Sequence, residues 1–309
     1  MVQDDYIKDI ITKAKLLGLP TKEITTACNH KCYLISMSDT QHVVCIPDDV
    51  TKIVESYVNE FEGSTRDLQG EIKVIGGKNL KDASYMFYEC EAQFIDLSSF
   101  DTSNVTDMSN IFGNCQAKFI DLSNFDTSNT INMESMFECC SAQSLNLSNF
   151  DTSKVTSMKL MFANCQAKLI DLRNFDTSNV INMEGMFLGC ENQSLDISSF
   201  NTSKVTNMRS MFCYCKAQSL DFSNFDTSNV TNMNRMFNKC QAQSLDLNSF
   251  DISSVTDMGG MFYKCQAKFI DLSSFDTSNV INMDVMFHKC QAKIKSTDSR
   301  ILEAYHESR

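Results

Sequence analysis

The chain has 309 residues, a formal net charge of −12 and 14 cysteines. Residues 90–293 carry 22 acidic and 14 basic side chains, which gives this part a net charge of −8. Such an acidic balance argues against a protein that binds nucleic acid, since that needs a basic stripe along the phosphate backbone. No apolar run reaches the length of a membrane span, so we predict no membrane insertion.

Residues 1–75 are predicted to form a small α+β domain. Its predicted elements follow from amphipathic periodicity and from strand-like alternation. In chain order they are a helix at Asp5–Leu17, a hairpin of Cys32–Met37 and His42–Ile46, a helix at Val50–Phe61 and a strand at Glu71–Ile75. We expect this domain to cap the first repeat, because a repeat array must shield the apolar edge of its terminal unit.

This domain also contains a group of residues of metal-ligand type: Cys28, His30, Cys32, His42 and Cys45. Zinc sites usually space their ligands as Cys-x2–4-Cys and His-x3–5-His, and this group fits that spacing only loosely. The alternative is that the cysteines are buried strand residues. We therefore predict no metal and no cofactor, and keep these five residues as the zinc alternative.

From position 90 onward the sequence is periodic. Cysteine recurs every 25 residues from Cys90 to Cys290, and phenylalanine does so from Phe87 to Phe287. A fixed period of this length indicates one supersecondary unit stacked on copies of itself. Residues 76–293 are therefore predicted to form a repeat solenoid of about nine coils. Residues 294–309 are predicted to be its C-terminal cap.

The coil from Cys240 to Lys264 shows how each repeat should fold. Ser244–Leu247 alternates, with Leu245 directed inward and Asp246 outward, which predicts a short strand with one buried face. Stacked copies then make a parallel β-sheet. A second extended segment at Val255–Met258 leads to a short helical turn before the next cysteine.

The cysteines of the stack should form a ladder. Neighbouring cysteines would lie roughly 5 Å apart, a spacing that disulfide geometry tolerates. Nine in a row cannot all pair within the ladder, and free cysteine packs well as a small buried hydrophobe. We expect a reduced ladder, with a bridged ladder as the alternative.

Over roughly residues 84–292 the repeats follow the pattern Leu-Asp-Leu-Ser-Asn-Phe-Asp-Thr-Ser-Asn-Val-Thr-Asn-Met-x-x-Met-Phe-x-x-Cys. This pattern resembles the BspA-type leucine-rich repeat family. The resemblance implies a leucine-rich-repeat-like solenoid and surface proteins that adhere to host or matrix proteins. This chain has only Gln-Ala-Gln or Gln-Ala-Lys where the family has a further leucine between cysteine and strand. The resemblance also implies an export signal, and the residues Met1–Tyr6 do not match one.

The position two before the outward aspartate is the first candidate for partner contact. Strand side chains alternate, so this position should share the outward face with the aspartate. Large apolar groups on an otherwise Ser/Asp face are typical of interfaces. The alternative is that they are shielded or point inward. The candidate residues are Phe94, Phe119, Leu169 and Phe269, with the neighbouring aspartates Asp96, Asp121, Asp171 and Asp271 as candidates for a cation or a basic partner.

Two further columns receive simpler predictions. The aspartates from Asp101 to Asp276 should bond the turn amides of the Thr-Ser that follows them. A position in the helical turn is highly variable, which is typical of a solvated convex face, with a recognition surface as the alternative. The variable residues are Ser109, Glu134, Lys159, Glu184, Arg209, Asn234, Gly259 and Asp284.

No feature of the sequence predicts catalysis. The four histidines lie near the ends of the chain, and there is no Gly-x-Ser-x-Gly, phosphate loop or Gly-x-Gly-x-x-Gly. We predict a non-enzyme that binds an intracellular protein through its repeat surface, with a phage or mobile element as a candidate source. The start Met1–Tyr6 lacks a signal peptide, so we expect a cytoplasmic location. The alternatives are a surface or secreted adhesin that binds host or matrix proteins, and an acidic nucleic-acid mimic.

Overall fold

The computed structural model describes residues 2–25, 31–48, 50 and 68–308. The candidate ligands Cys28 and His30 lie outside the described residues, as does the predicted helix beyond Val50. The chain divides into two compact units, Met1–Lys154 and Val155–Arg309, and each is described by itself. The predicted domain boundaries at residues 75 and 293 stay predictions.

The first unit contains one helix and six strands among its described residues. They are α1 (Val2–Leu16), β1 (Thr21–Thr25), β2 (Lys31–Ser38), β3 (Gln41–Ile46), β4 (Glu71–Gly76), β5 (Phe94–Phe100) and β6 (Phe119–Asp121). The described part of the second unit contains three strands and one helix. They are β7 (Ser244–Asp246), β8 (Phe269–Asp271), β9 (Lys293–Lys295) and α2 (Ser299–Glu307).

The six strands of the first unit form one sheet in the order β1-β2-β3-β4-β5-β6. The first three are antiparallel, as predicted for the hairpin, and β3 to β6 are parallel. Helix α1 packs Ile7 and Ile11 against Ile35 and Cys45 of the hairpin. Because Val44 of β3 pairs with Val74 of β4, the hairpin bonds directly to the edge of the first coil, and that edge is not left exposed.

In both units the coils stack with a register of 25 residues. Phe94 lies opposite Phe119 in the first unit, and Ser244 lies opposite Phe269 in the second. Isolated parallel bridges such as Asp107 to Asn132 form a further ladder elsewhere in the coil. The coils of each unit therefore form a parallel β-solenoid with few helices, which confirms the predicted fold class.

The side chains of the strand point inward and outward at the positions that were predicted. Leu245 is 1% exposed and Leu247 is fully buried, while Asp246 between them is exposed. Because side chains alternate across a strand, this fixes which residues of every coil reach the surface. The surface positions discussed below follow from this register.

The segment predicted as a helical turn is built from successive hydrogen-bonded turns, and we call it the turn run (Met108–Cys115 and its equivalents). Ile111 N donates to Met108 O of its own coil at 3.3 Å, whereas Phe112 N donates to Met136 O of the next coil at 3.0 Å. This alternation places Asn110 in the left-handed region, with φ of 55°. A regular helix would keep every N–H group within its own coil, so bonding between coils replaces the helix.

Buried threonines join consecutive coils at one corner. The Thr102 hydroxyl donates to Asp126 O at 2.9 Å and accepts from Asp126 N at 2.8 Å. In the second unit Thr202 donates to Asp226 O at 2.8 Å, and its side chain is fully buried. Turn bonding was predicted for this corner, but the burial of the threonine and its bond to the next coil were not.

The residues after the last coil supply the bonds that a further coil would make. Asp298 accepts from Thr277 N at 2.9 Å and from Ile301 N, which caps α2. Arg300 donates to Thr277 O at 2.5 Å and to Val280 O at 2.9 Å. Tyr305 packs edge-on against a phenylalanine of the last coil and donates to Ala292 O at 2.8 Å. These contacts satisfy backbone groups that would otherwise lack partners at the end of the stack.

We predict that Phe175→Ala lowers the free energy of unfolding by about 3–5 kcal/mol, the usual cost of emptying a buried aromatic site. Phe175 is 2% exposed and lies 6.3 Å from the Phe162 ring. The matched control in the same coil is Leu169→Ala, at a side chain that is 76% exposed, and its effect should stay near about 0.5 kcal/mol. Denaturant unfolding measures both, and equal effects would contradict the assigned core.

Candidate protein-binding face

The outward aspartates are engaged within the chain. Asp96 accepts from Ser98 N at 2.9 Å and from Lys73 Nζ at 2.8 Å. Asp171 pairs with Arg173 at 2.6 Å, and Asp271 pairs with Lys295 at 3.0 Å. These predicted partner residues therefore first serve to order their own loops, as Asp followed two residues later by an amide donor often does.

These contacts act on the pKa values of the carboxyl groups. Hydrogen bonds from Arg173 lower the pKa of Asp171 to about 2. Hydrogen bonds from Ser273 and then from Lys295 lower the pKa of Asp271 to about 2. Both carboxylates are charged at neutral pH, but each already has a cation beside it.

The second aspartate column caps turns as predicted. Asp101 accepts from Ser103 N at 3.0 Å and Asp251 from Ser253 N at 2.9 Å. A third column, formed by the residues of the isolated bridges, does the same, since Asp257 accepts from Gly259 N at 2.9 Å. Each coil therefore has up to three corners of the same kind. Only one of these corners was predicted from the sequence.

The apolar column turns outward, as predicted. Phe119 is 55% exposed, Leu169 is 76% exposed and Phe269 is 44% exposed, while Phe94 is half-buried. We call these four residues the strand-face column. In the first unit Phe94 and Phe119 lie directly opposite each other on β5 and β6.

The strand-face column is interrupted in the second unit. Between the coils of Leu169 and Phe269 the equivalent residues are serines, and they occupy the same strand register. The backbone is thus the same with serine as with a large apolar residue. It follows that the fold does not require the apolar side chains at this position. The serines are Ser194, Ser219 and Ser244.

A second exposed apolar column was missed. Ile131 is 46% exposed, Ile181 is 48% exposed and Ile281 is 83% exposed. Other coils carry threonine here, and its hydroxyl bonds the previous coil, as Thr231 does to Thr206 O at 3.2 Å. Isoleucine has no hydroxyl to make that hydrogen bond, and its side chain is not buried in exchange.

The sequence does hold a signal for this second column. The three coils with isoleucine are also coils with lysine and an exposed phenylalanine or leucine in the strand-face column. The pairs are Phe119 with Ile131, Leu169 with Ile181, and Phe269 with Ile281. These three coils therefore differ at the surface from the coils that carry serine and threonine at the two positions, while the coil of Phe94 and Thr106 combines one feature of each.

The candidate zinc ligands are brought together only in part. Cys32 and Cys45 are fully buried, and His42 Nδ1 lies 3.2 Å from Ser36 Oγ. Burial, with Cys32 nearby, raises the pKa of Cys45 to about 12. In the described residues no group of three or more metal-ligand side chains occurs. Because Cys28 and His30 lie outside that range, the zinc hypothesis stays a prediction.

The cysteines of the ladder are buried thiols. Burial raises the pKa of Cys190 to about 11, that of Cys240 to about 11 and that of Cys140 to about 12. The thiolate is the form that attacks electrophiles and binds metals. At neutral pH these cysteines are therefore protonated packing residues.

The fold and the surface together define a repeat solenoid in which consecutive coils share a core and differ at the surface. A family model described as "Mycoplasma protein of unknown function, DUF285" matches residues 81–200 and 189–299, and the chain belongs to this family. Comparison with curated proteins and with solved structures finds no match. Within the described part of the chain, neither helix has the length and apolar character needed to cross a membrane.

We predict that stability depends on the cysteine ladder at alkaline pH. Burial raises the pKa of Cys240 from 9.0 to about 11, so the folded state holds a proton that the unfolded chain loses first. The stabilising effect is complete below pH 9 and is lost as the pH rises through about 11. Relative to Cys240→Ala, the wild type should lose about 1.4 kcal/mol per pH unit in this window.

Denaturant unfolding of both proteins from about pH 7 to 11 measures this difference. Comparing the two proteins cancels the titration of the lysines and tyrosines that they share. A difference that stays constant across the whole range would contradict a buried, protonated thiol at this position.

Proposed function

We propose that the protein is a non-catalytic solenoid that binds a protein partner through the strand-face column. The observation that carries the proposal is the exposure of Phe119, Leu169 and Phe269, at 55%, 76% and 44%. Other coils fold with serine at the same position, so these side chains are not needed for folding.

The energetics favour a binding role for these side chains. Covering an exposed phenylalanine or leucine is worth about 1.5–3 kcal/mol, since burial of apolar surface is the main favourable term in association. A few such anchors carry most of the energy of a protein interface. In the first unit Phe94 and Phe119 lie opposite each other on adjacent strands, so two apolar side chains occupy neighbouring positions on the face.

The charges around the column indicate the chemistry of the partner. Asp96, Asp171 and Asp271 have cations of this chain beside them. Lys168 and Lys268 are exposed next to Leu169 and Phe269 and make no ion pair among the described residues. Asp121, beside Phe119, accepts from Ser123 N and makes no ion pair among the described residues, so charges of both signs are left for a partner. We infer a partner patch that is apolar at its centre and has a polar edge of mixed charge.

The location of the partner separates two versions of this function. The buried thiols fit a reducing compartment and an intracellular partner. The similarity of the repeat to BspA-type leucine-rich repeats supports the alternative, a surface adhesin that binds host or matrix proteins. Alkylation of the protein as isolated from its own cells, read by mass spectrometry, distinguishes them, because ladder disulfides would favour export.

Changing the four residues of the strand-face column to serine should leave folding intact and abolish capture of the partner. The physical reason is that serine already occupies this position in folded coils, while the interface loses its apolar anchors. The measurement is affinity capture from lysate of the native cells with quantitative mass spectrometry, wild type against variant. The melting temperature of both proteins reports folding.

The matched control uses the second exposed column. Changing Ile131, Ile181 and Ile281 to threonine also removes three exposed apolar side chains, and it restores a residue that other coils carry. Capture should survive this change. If the partner is retained by the serine variant and lost by the threonine variant, the binding face is the second column and the proposal is wrong. Unfolding of the serine variant would show that the strand-face column belongs to the core.

A further inference from the structure

A cavity of about 510 Å³ opens on the outer surface of the turn runs in the second unit. It lies in a part of the coil separate from the strand-face column, and nothing in the proposed function uses it. Its walls include Tyr214, Arg235, Asn238, Lys239 and Gly260. A volume of this size is typical of small-molecule sites.

Gly260 creates the space. A Cβ atom on Gly260 would find its nearest neighbour, Arg235 Cγ, at 3.4 Å, an ordinary contact. At the equivalent Gly185 the Leu160 side chain fills the space, since its Cδ2 would stand 2.5 Å from such a Cβ. The opening therefore results from a glycine whose neighbour in the previous coil, Arg235, leaves room above it.

Glycine is not required here by the backbone. Gly260 has φ of 62°, but the equivalent residues Leu160 and Ser210 adopt φ of 55° with a side chain. The left-handed conformation is thus tolerated by other residue types at this position. What glycine adds at position 260 is the empty volume.

An amide without a partner faces the cavity. Asn238 is 8% exposed, and within the described residues its side-chain amide makes no hydrogen bond. Its Nδ2 atom would lie 3.8 Å from a Cβ on Gly260, on the cavity side. The amide lines the cavity, so it can donate to a ligand group placed there.

The charges at the cavity favour an anion. Arg235 is exposed and makes no ion pair among the described residues. Lys239 Nζ lies 4.2 Å from the centre of the Tyr214 ring and donates to its hydroxyl, and this bond raises the pKa of Lys239. Asp284 is the one carboxylate among the described residues that line the cavity. Two cations therefore face one acid in a chain whose net charge is −12.

We propose that this cavity binds a small organic oxyanion, whose phosphate or carboxylate group is held by Arg235, Lys239 and Asn238. The planar guanidinium of Arg235 matches two oxygens of such a group, and the amide of Asn238 donates a further bond. Tyr214 and Tyr263 provide the walls for the organic part of the ligand. The cavity is too large for a bare ion alone.

The test is isothermal titration calorimetry of the full chain with three probes: adenosine monophosphate, citrate and inorganic phosphate. At least one organic probe should bind saturably. Gly260→Leu introduces the side chain that Leu160 carries at the equivalent position and fills the cavity. Arg235→Ser introduces the residue that Ser210 provides in the previous coil and removes the cation. Each should weaken binding at least about tenfold, the scale of one lost charge-assisted bond.

The matched control is Arg209→Ser. Arg209 is an exposed arginine of a neighbouring turn run that does not line the cavity, so this change removes the same charge and should alter binding less than about twofold. Should Gly260→Leu fail to fold, as judged by its melting temperature, Asn238→Ala replaces it with the same expected loss. Alanine already occupies the equivalent position in another coil, as Ala163.

Three results would overturn the proposal. The first is no saturable binding of any probe up to about 10 mM, beyond the weak end of specific binding. The second is an equal loss in the Arg209→Ser control, which would indicate a general charge effect. The third is inorganic phosphate binding as tightly as both organic probes, which would indicate a simple ion site. Whether adenosine monophosphate or citrate binds tighter distinguishes a phosphate ligand from a carboxylate one.

Discussion

Within each unit, the structure depends on backbone hydrogen bonds that join a coil to the one 25 residues along the chain. In the turn run these bonds take every second N–H group, as at Phe112 and Met136, and the strands and corners add others. A residue is therefore stacked on its own equivalent. Every column of side chains must tolerate a copy of itself at a short distance, and this requirement explains which residue types occupy which columns.

Each type of column satisfies this requirement in its own way. In the interior, flat rings and small thiols stack well, as in the Phe212 and Phe237 rings, whose centres lie 5.9 Å apart and nearly parallel. At the corners, aspartates would repel one another, but each accepts an amide of its own loop, and some gain a cation, as Asp171 does from Arg173. The surface columns have no such constraint, and there the coils differ from one another.

Much of the fold could be predicted from the sequence, because a strict period repeats the same pattern in every coil and so removes the ambiguity of any single segment. The alternation of Leu245, Asp246 and Leu247 fixed the facing of the strand, and the outward direction of Phe119 followed from it. The turn run could not be predicted in the same way. Its left-handed positions hold Asn110, Leu160 and Arg235, and no run of glycines marks them. Bonds to the next coil stabilise a conformation that costs about 1 kcal/mol for such residues in isolation.

The candidate sites also differ in how far the sequence alone predicts them. The strand-face column could be found in the sequence because each of its residues is exposed by the strand register alone. The cavity at Gly260 could not be found, because the same glycine at position 185 is covered by Leu160 of the previous coil. Whether a glycine opens a cavity therefore depends on pairs of residues 25 positions apart. In a solenoid of this kind, a unique site arises where two neighbouring coils depart from the repeat together. Such a site can be found by comparing each variable residue with the equivalent residue of the adjacent coil.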